Sequence, residues 1–592
     1  MRCDPKVPPW QRYKISPSRR EYLAVSSPFE KIDAAGLSNV SELLSLAARQ
    51  VPDHTAVAVA KRRMGPTEFD WDVITYAQLD QRATEVAKGL LESGIPKGSR
   101  LALMVKPGVE FISLVFGMMR ASMVQILIDP GMGRSNMIHC LQSTDPEGFV
   151  AIPLAHVARC VFRKRFPNAI HNVTVGKRWF WGGRTYQQIL EIGRASKLTI
   201  GVNRVDDAAA IIFTTGSTGP PKGVAYTHKM FIGQATQIRD YYDIQPGGVD
   251  LSGFPLFALF NIGMGMTTVI PQMDPTRPAD VNPQNIIDAV NHWKADQSFG
   301  SPALWNTVSL HCEKNSIRLP TLKRVFSAGA PVPPHVLERV KKVIADDGEI
   351  YTPYGATESL PVASNSASVI LGQTAEKSKI GAGTCVGGRF PGIQWKVIRI
   401  SDDPIQTLDQ CSELSQGEIG ELMVTGDVVS QSYVTSEQAN ALHKVKDGAT
   451  VWHRMGDVGY LDQEERFWFC GRKGHRVICG GKTLYTIPVE AIINEHAAIY
   501  RSALVGVGPI GNQIPAVVLQ PWSQHFPKSK DQERDLLNQI REMADGHDLT
   551  SQIQHYFVMQ KLPVDIRHNS KIFREKIAIW VAKKMHRQIP GI

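Results

Sequence analysis

At 592 residues the chain is longer than one hydrophobic core ordinarily organises, so several subdomains are expected. Apolar residues make up 43% and charged residues 21%, the balance of a water-soluble globular protein, and no uninterrupted apolar run reaches the ~18 residues of a membrane span. The 66 Lys and Arg outnumber the 56 Asp and Glu, for a net charge of +10, which allows polyphosphate, anionic lipid or nucleic acid as partners. No nucleic-acid module accompanies the charge, and nucleic acid is not expected.

The eight cysteines (3, 140, 160, 312, 385, 411, 470 and 479) contain no C-x-x-C pair, which points to reduced thiols in a cytoplasm rather than a disulfide framework or zinc site. There is no H-E-x-x-H among the 17 histidines and no G-x-S-x-G elbow, which counts against a zinc protease and a serine hydrolase. The first 22 residues are basic and proline-punctuated without an apolar h-region, so they do not read as a secretory signal.

In chain order, 1–40 read as an irregular lead-in. From 41 the pattern alternates: SELLSLAARQ helical, TAVAVA extended, YAQLDQRATEVAKGLLESG helical and stopped by Gly94, RLALMV extended, FISLVFGMMRAS helical, VQILID extended. The stretch HVARCVFRKRF (156–166) is the densest basic patch. It reads first as a solvated helix face, and second as a peripheral membrane contact through Val157, Val161 and Phe162 beside the bases. The alternation resumes from 208 to about 365, with AAAIIF and GVAYTH extended, and predicts helix-covered, largely parallel sheets in an α/β fold. From 380 to 470 short strands and turns point to a small β-rich subdomain, and the last 120 residues or so to a small α+β domain. The expected division is therefore 41–471 and 472–592 after the lead-in.

The stretch 214–224, TTGSTGPPKGV, carries the chemistry of a phosphate loop but not the P-loop pattern. Pro221 stands where the second glycine belongs, and Gly223 where a metal-binding hydroxyl belongs. It joins two extended runs rather than a strand and a helix start, so it reads as a flap whose glycines let backbone approach polyphosphate and whose hydroxyls add donors. Four further stretches stand out. SAGAPVP (327–333) offers a flat wall for a planar base, or a plain turn. In YGATES (354–359), Tyr354 can stack on a base, Thr357 donate to phosphate and Glu358 bind magnesium; the same letters fit a helix N-terminus with Thr–Glu capping. Asp457 in HRMGDVGYLD can accept from two vicinal hydroxyls, or be a turn aspartate. In CGRKG (470–474), Arg472 can hold ribose or phosphate oxygens and Gly474 can absorb a backbone rotation. Near the C-terminus Lys571 is either functional or an ordinary surface lysine.

As an ordered set, TTGSTGPPKG, YGATES, GDVGYLD and CGRKG resemble the adenylate-forming superfamily of acyl-CoA synthetases, luciferases and peptide-synthetase adenylation domains, over about 40 to 585. The resemblance implies a large N-terminal and a small mobile C-terminal domain, ATP and Mg²⁺, and residue roles. Thr214, Thr215, Gly216, Ser217, Thr218, Gly219 and Lys222 belong to the loop on the β,γ-phosphates, and Gly329, Ala330, Pro331, Tyr354 and Gly355 to the nucleotide wall. Thr357 touches the α-phosphate, Glu358 holds Mg²⁺, Asp457 and Arg472 bind ribose, Gly474 is the hinge, and Lys571 is the catalytic lysine.

Departures narrow the resemblance. PLFALF (255–260) has Ala258 where acyl-CoA ligases carry histidine; Ser570 precedes Lys571 where glycine is usual; the hinge reads GRKGH. With ILIDPGMGR (126–134) and FVAIPLAHVAR (149–159), these are similar to the OleC-type β-lactone synthetases of olefin biosynthesis. That implies adenylation of a long-chain 2-alkyl-3-hydroxy fatty acid, then attack by its own 3-hydroxyl. His475 or His568 would assist the proton transfer, or be structural. The run 254–270 lines an alkyl pocket, or is simply a buried helix and strand. Association with other olefin-pathway enzymes is the implied partnership. The rivals are a long-chain acyl-CoA or acyl-carrier ligase, and a non-catalytic, membrane-associated nucleotide-binding partner.

Overall fold

The computed structural model describes residues 30–201, 203–214, 220–254, 256–564 and 571–588. Thr215, Gly216, Ser217, Thr218 and Gly219 of the phosphate loop lie outside the described residues, as do His568 and Ser570.

Two large sheets dominate the chain up to residue 472. In the first, six strands run parallel in the order Arg184–Thr185, His171–Thr174, Gly148–Ala151, Arg100–Met104, Val124–Leu127 and Ala208–Phe213. The seventh, Gly223–Thr227, returns antiparallel on Ala208–Phe213. The second sheet holds 14 strands. Its parallel run is Thr55–Arg63, Thr267–Ile270, Val249–Ser252, Gln297–Gly300, Arg324–Ser327 and Glu349–Ala356. These strands are short apolar runs separated by helices, the signature of strands covered on both faces.

The β-rich stretch after 380 is not a separate sheet. Strand Ser359–Ser366 folds back on Glu349–Ala356 and pairs onward with Thr384–Arg389, so the antiparallel strands continue the parallel ones. A hairpin return reverses chain direction without a crossover, which is how one sheet changes from parallel to antiparallel pairing.

Helices Tyr76–Glu92 and Val109–Arg120 fill the space between the two sheets, in a core cluster that joins Val57 and Ile270 of one sheet to Leu101 and Val150 of the other. They approach closely at Gly117, where a Cβ would stand 2.4 Å from a Val86 methyl. Arg120 interrupts the most apolar run of the sequence because it is paired: its guanidinium lies 2.7 Å from Asp80 and 2.8 Å from Ser45. The C-terminal part is a three-stranded sheet, Ile499–Val507, Ile514–Pro521 and His555–Val558. Alternation along the strands sends Leu504, Val517 and Leu519 to one core cluster and Ala503, Ala516 and Val518, with helix Arg574–Gln588, to another.

Candidate active site

The phosphate loop joins strand Ala208–Phe213 to the antiparallel strand Gly223–Thr227, two strands rather than a strand and a helix start, as its sequence predicts. Its neck is closed by the Thr214 amide donating to the Lys222 carbonyl at 3.0 Å. A second chain segment braces the neck: the Gly223 amide donates to Thr435 Oγ1 at 2.9 Å and the Val434 amide to the Gly223 carbonyl at 2.8 Å. Lys222 Nζ lies 3.3 Å from His443 Nε2 and 5.3 Å above the Tyr433 ring. Burial lowers the Lys222 pKa, and the Glu358 carboxylate opposes the shift.

Thr357 and Glu358 are the turn of the hairpin Glu349–Ala356/Ser359–Ser366, not the start of a helix, so the capping alternative is overturned. The tight pairing explains Gly355, where a Cβ would stand 2.7 Å from the Ser359 carbonyl. The turn is held from two sides. Tyr226 donates to the Thr357 carbonyl at 2.6 Å, and the Ser430 amide to the Glu358 carbonyl at 2.8 Å. Tyr433 donates to Glu358 Oε1 at 2.6 Å, while Oε2 accepts no hydrogen bond among the described residues. No group of three metal-ligating side chains occurs among the described residues. One oriented carboxylate with a free oxygen fits a magnesium ion whose remaining ligands are phosphates and water.

Behind Tyr433, Lys444 Nζ donates to Ser430 Oγ at 2.8 Å and lies 5.3 Å from the Tyr433 ring. Burial pushes the Lys444 ammonium down to about 7 and the His443 imidazole to about 3. Lys222 therefore faces a neutral histidine ring. Tyr226, Tyr433, His443 and Lys444 were missed in the sequence. They carry no motif, and Tyr433 lies 75 positions from the glutamate it orients.

Asp457 sits within strand Thr450–Leu461, directly across from Arg472 of strand Phe467–Arg472, which overturns the turn-aspartate alternative. Arg472 Nη1 donates to Asp457 Oδ1 at 2.6 Å, and the Tyr354 hydroxyl donates to Oδ2. The Asp457 carboxylate raises the Arg472 pKa further, which keeps the guanidinium charged. Gly329, at φ +93°, turns the chain after strand Arg324–Ser327, and Ala330 and Pro331 follow it along the same cleft as Tyr354.

Lys571 lines that cleft too, beside an isolated bridge between Val564 and Ile572. Next to it Arg574 is locked to Glu490 by bonds of 2.6 and 3.0 Å. Gly474 lies in a single 3-10 turn, Lys473–His475, anchored on both sides. Lys473 Nζ reaches the Ser401 carbonyl at 2.9 Å and Glu421 at 3.1 Å; Arg476 pairs with Asp402. Glu421 also forms a fully buried pair with Arg454 at 2.7 Å. His475 Nε2 lies 3.2 Å from Glu575.

Thr214, Lys222, Tyr226, Tyr354, Thr357, Glu358, Tyr433, His443, Asp457, Arg472, His475 and Lys571 border one cleft of about 2060 Å³, whose far part is apolar; Lys444 and Gly474 stand behind its wall. There Leu256, Phe257 and Phe260 face Phe299 and Phe326, with Phe257 and Phe299 stacked at 4.3 Å. The two readings of 254–270 are both partly met: Phe257 and Phe260 border the cleft, whereas Ala258 and Ile262 turn into the core. Ser252, at the cleft wall, donates to Asp250, which also accepts from Asn261 at 2.7 Å and Gln297 at 3.1 Å. Burial raises Asp250 to about 6.

The family model of AMP-binding enzymes matches residues 44–434. The chain is 41% identical over 561 residues to the olefin beta-lactone synthetase of Stenotrophomonas maltophilia, covering 93% of this chain and 99% of that one. It is 41% identical over 556 residues to the enzyme of the same name from Xanthomonas campestris, covering 93% and 98%. Among solved structures, o-succinylbenzoate coenzyme A synthetase of Bacillus subtilis, in complex with ATP and magnesium ion, superimposes with a TM-score of 0.68 at 19% identity over 90% of this chain and 98% of that one. The chain therefore belongs to the AMP-binding, adenylate-forming enzymes, a family of AMP-forming ligases.

Proposed function

We propose that this enzyme activates a long-chain 2-alkyl-3-hydroxy fatty acid with ATP and closes it to a β-lactone. A carboxylate oxygen attacks the α-phosphorus, and pyrophosphate leaves with the electrons of the broken P–O bond. The 3-hydroxyl oxygen then attacks the acyl carbon and loses its proton, and AMP leaves with the electrons of the acyl C–O bond. The nucleophile is tethered, and such tethering is worth roughly 10⁵–10⁸ M in effective concentration, which offsets ring strain.

The observation that carries this reading is one cleft with a phosphate-handling end and a long apolar end, in a chain 41% identical to two olefin beta-lactone synthetases. The buried position of Ala258, off the cleft, supports it further. In this reading Thr214, Lys222 and the loop between them hold the β,γ-phosphates, Tyr354 and 329–331 flank the adenine, and Asp457 with Arg472 takes the ribose hydroxyls. Thr357 contacts the α-phosphate. Glu358 would hold magnesium, which when bound neutralises phosphate oxygens. Lys571 stands between the two anions that must meet, where a placed cation lowers the barrier. Residues 472–592 move as a unit about Gly474 to bring Lys571 in and out. His475, which borders the cleft, takes the hydroxyl proton. A cytoplasmic location belongs to the same reading and is supported by free thiols at all seven described cysteines.

The test is incubation of enzyme, ATP and Mg²⁺ with a 2-alkyl-3-hydroxy acid and no thiol, followed by mass spectrometry. A product lighter than the acid by one water, formed in step with AMP, is expected. AMP release only on addition of coenzyme A would replace the lactone step with thioester formation.

A further inference from the structure

We propose that the outer edge of the seven-stranded sheet docks this enzyme on an anionic lipid surface and turns the apolar lip of the cleft that this edge carries toward it. The inference deepens the long-chain reading above, because it gives an insoluble substrate a route of entry.

The edge is formed by strands Gly148–Ala151, His171–Thr174 and Arg184–Thr185 with the helix Pro153–Val161. Between Glu147 and Glu191 there is no acidic residue, while seven Lys and Arg fall there. Arg163, Lys164 and Arg165 form one turn directly after the helix, all exposed, and Lys177, Arg178 and Arg184 are exposed as well. None of the seven forms an ion pair among the described residues. Elsewhere on the described surface bases commonly pair with acids, so this edge is an uncompensated positive field.

Apolar groups stand among these bases. Leu154, Val157, Ala158 and Val161 recur at helical spacing on one face, and Leu154 and Val161 are 73% and 70% exposed. The opposite face is fixed inward: His156 is fully buried, 5.3 Å from Trp181 and 3.0 Å from the Val173 carbonyl. A Cβ on Gly176 would touch Pro153 at 3.8 Å, which lays the segment 176–181 along the first helical turn. That segment exposes Trp179 by 54% and Phe180 by 75%. A short helix with an apolar stripe, flanking bases and exposed aromatic rings is the pattern of a helix lying in a lipid interface. No described helix is long and apolar enough to cross a membrane, so the contact is peripheral.

The same helix is the lip of the cleft. Leu154, Val157 and Ala158 border the cavity along with Phe162, Met137 and Ile138. An alkyl chain leaving the bilayer under this lip would pass from one apolar surface to another without crossing water, whose exclusion of methylenes is the dominant barrier to transfer.

The test is flotation of the full-length protein with vesicles of mixed phosphatidylglycerol and phosphatidylcholine, and of phosphatidylcholine alone. Binding to the anionic vesicles only, released by high salt, is expected. The double variants Val161→Glu/Phe180→Glu and Arg163→Glu/Lys164→Glu should each weaken binding by about tenfold or more. None of these four residues borders the cleft. Acid-dependent pyrophosphate exchange with a short soluble acid should therefore be unchanged, which also shows that the variants are folded. Equal binding of the variants, or no binding of the wild-type protein to anionic vesicles, overturns the proposal. So does a concentration-dependent dimer that Val161→Glu dissociates in the absence of lipid binding, which would make this face a contact between copies. A lactone assay in detergent, without vesicles, tests the catalytic reading separately.

Discussion

At the nucleotide end of the cleft three charged groups are each held by a second element: Asp457 by Arg472 and Tyr354, Glu358 by Tyr433, Lys222 by His443. At the apolar end contact is by shape alone, with Phe257 against Phe299 and Leu256 and Phe260 beside them. The difference follows from what each end must do. Charge stabilisation depends on distance and direction, so its groups are locked in advance. Hydrophobic binding depends on area and has no preferred direction. Substitutions should therefore act steeply at one end and in graded steps at the other.

The steepest test is Lys571→Ala. Acid-dependent pyrophosphate exchange should fall by ~10²–10³, while ATP binding measured by calorimetry changes far less, because the ammonium group acts on the transition state. An unchanged exchange rate would remove Lys571 from the chemistry. Asp457→Ala comes next. It strands the Arg472 guanidinium and the Tyr354 hydroxyl, and an unpaired buried group costs about 1–3 kcal/mol. The KM for ATP should rise about tenfold or more, and the melting temperature should fall with it. Asp457→Asn keeps one acceptor oxygen but loses the second oxygen and the charge, and should lie between.

The alternating helices and strands were legible in the sequence because period and turn signals are local, down to Gly94 ending its helix at φ +78°. The motif residues were legible because each motif is contiguous. What was not legible is pairing across distance. The turn at Thr357–Glu358 resembles a helix cap until the return strand is seen, and Asp457 resembles a turn residue until Arg472 is found opposite. Tyr433, His443 and Lys444 lie in a stretch of ordinary composition, and they reach the site because strand Gly223–Thr227 and the Thr357–Glu358 hairpin both run beside it. The β-rich stretch was legible as short strands and turns, but its continuation of the parallel sheet was not, because local pattern does not say which sheet a strand joins.

The graded end is tested by Phe260→Trp. The larger ring fills part of the apolar arm without touching the phosphate residues. Each excluded methylene is worth about 0.8 kcal/mol, so kcat/KM should drop about fourfold per methylene lost from contact, and only for acids long enough to reach the ring. Short acids should react as with the wild-type enzyme. A uniform loss across chain lengths would place the alkyl chain elsewhere.

The last expected effect leaves catalysis aside and concerns stability at the locked end. Burial holds the Lys444 ammonium at about 7 in the folded enzyme, against ~10.4 in the unfolded chain. Below pH 7 both states carry the proton, and the folded state bears the full cost of a buried charge. Between about 7 and 10.4 only the unfolded chain holds it, so unfolding takes up a proton and stability rises with pH through that window. Lys444→Met removes the titrating group. Its melting temperature relative to wild type should be highest below pH 7 and decline steadily toward pH 10, on top of a constant loss from the missing bond to Ser430. A difference that does not vary with pH would mean that Lys444 keeps its charge in the fold. The locking of Glu358 through Tyr433 would then draw on a permanent cation rather than on a lysine poised to lose its proton.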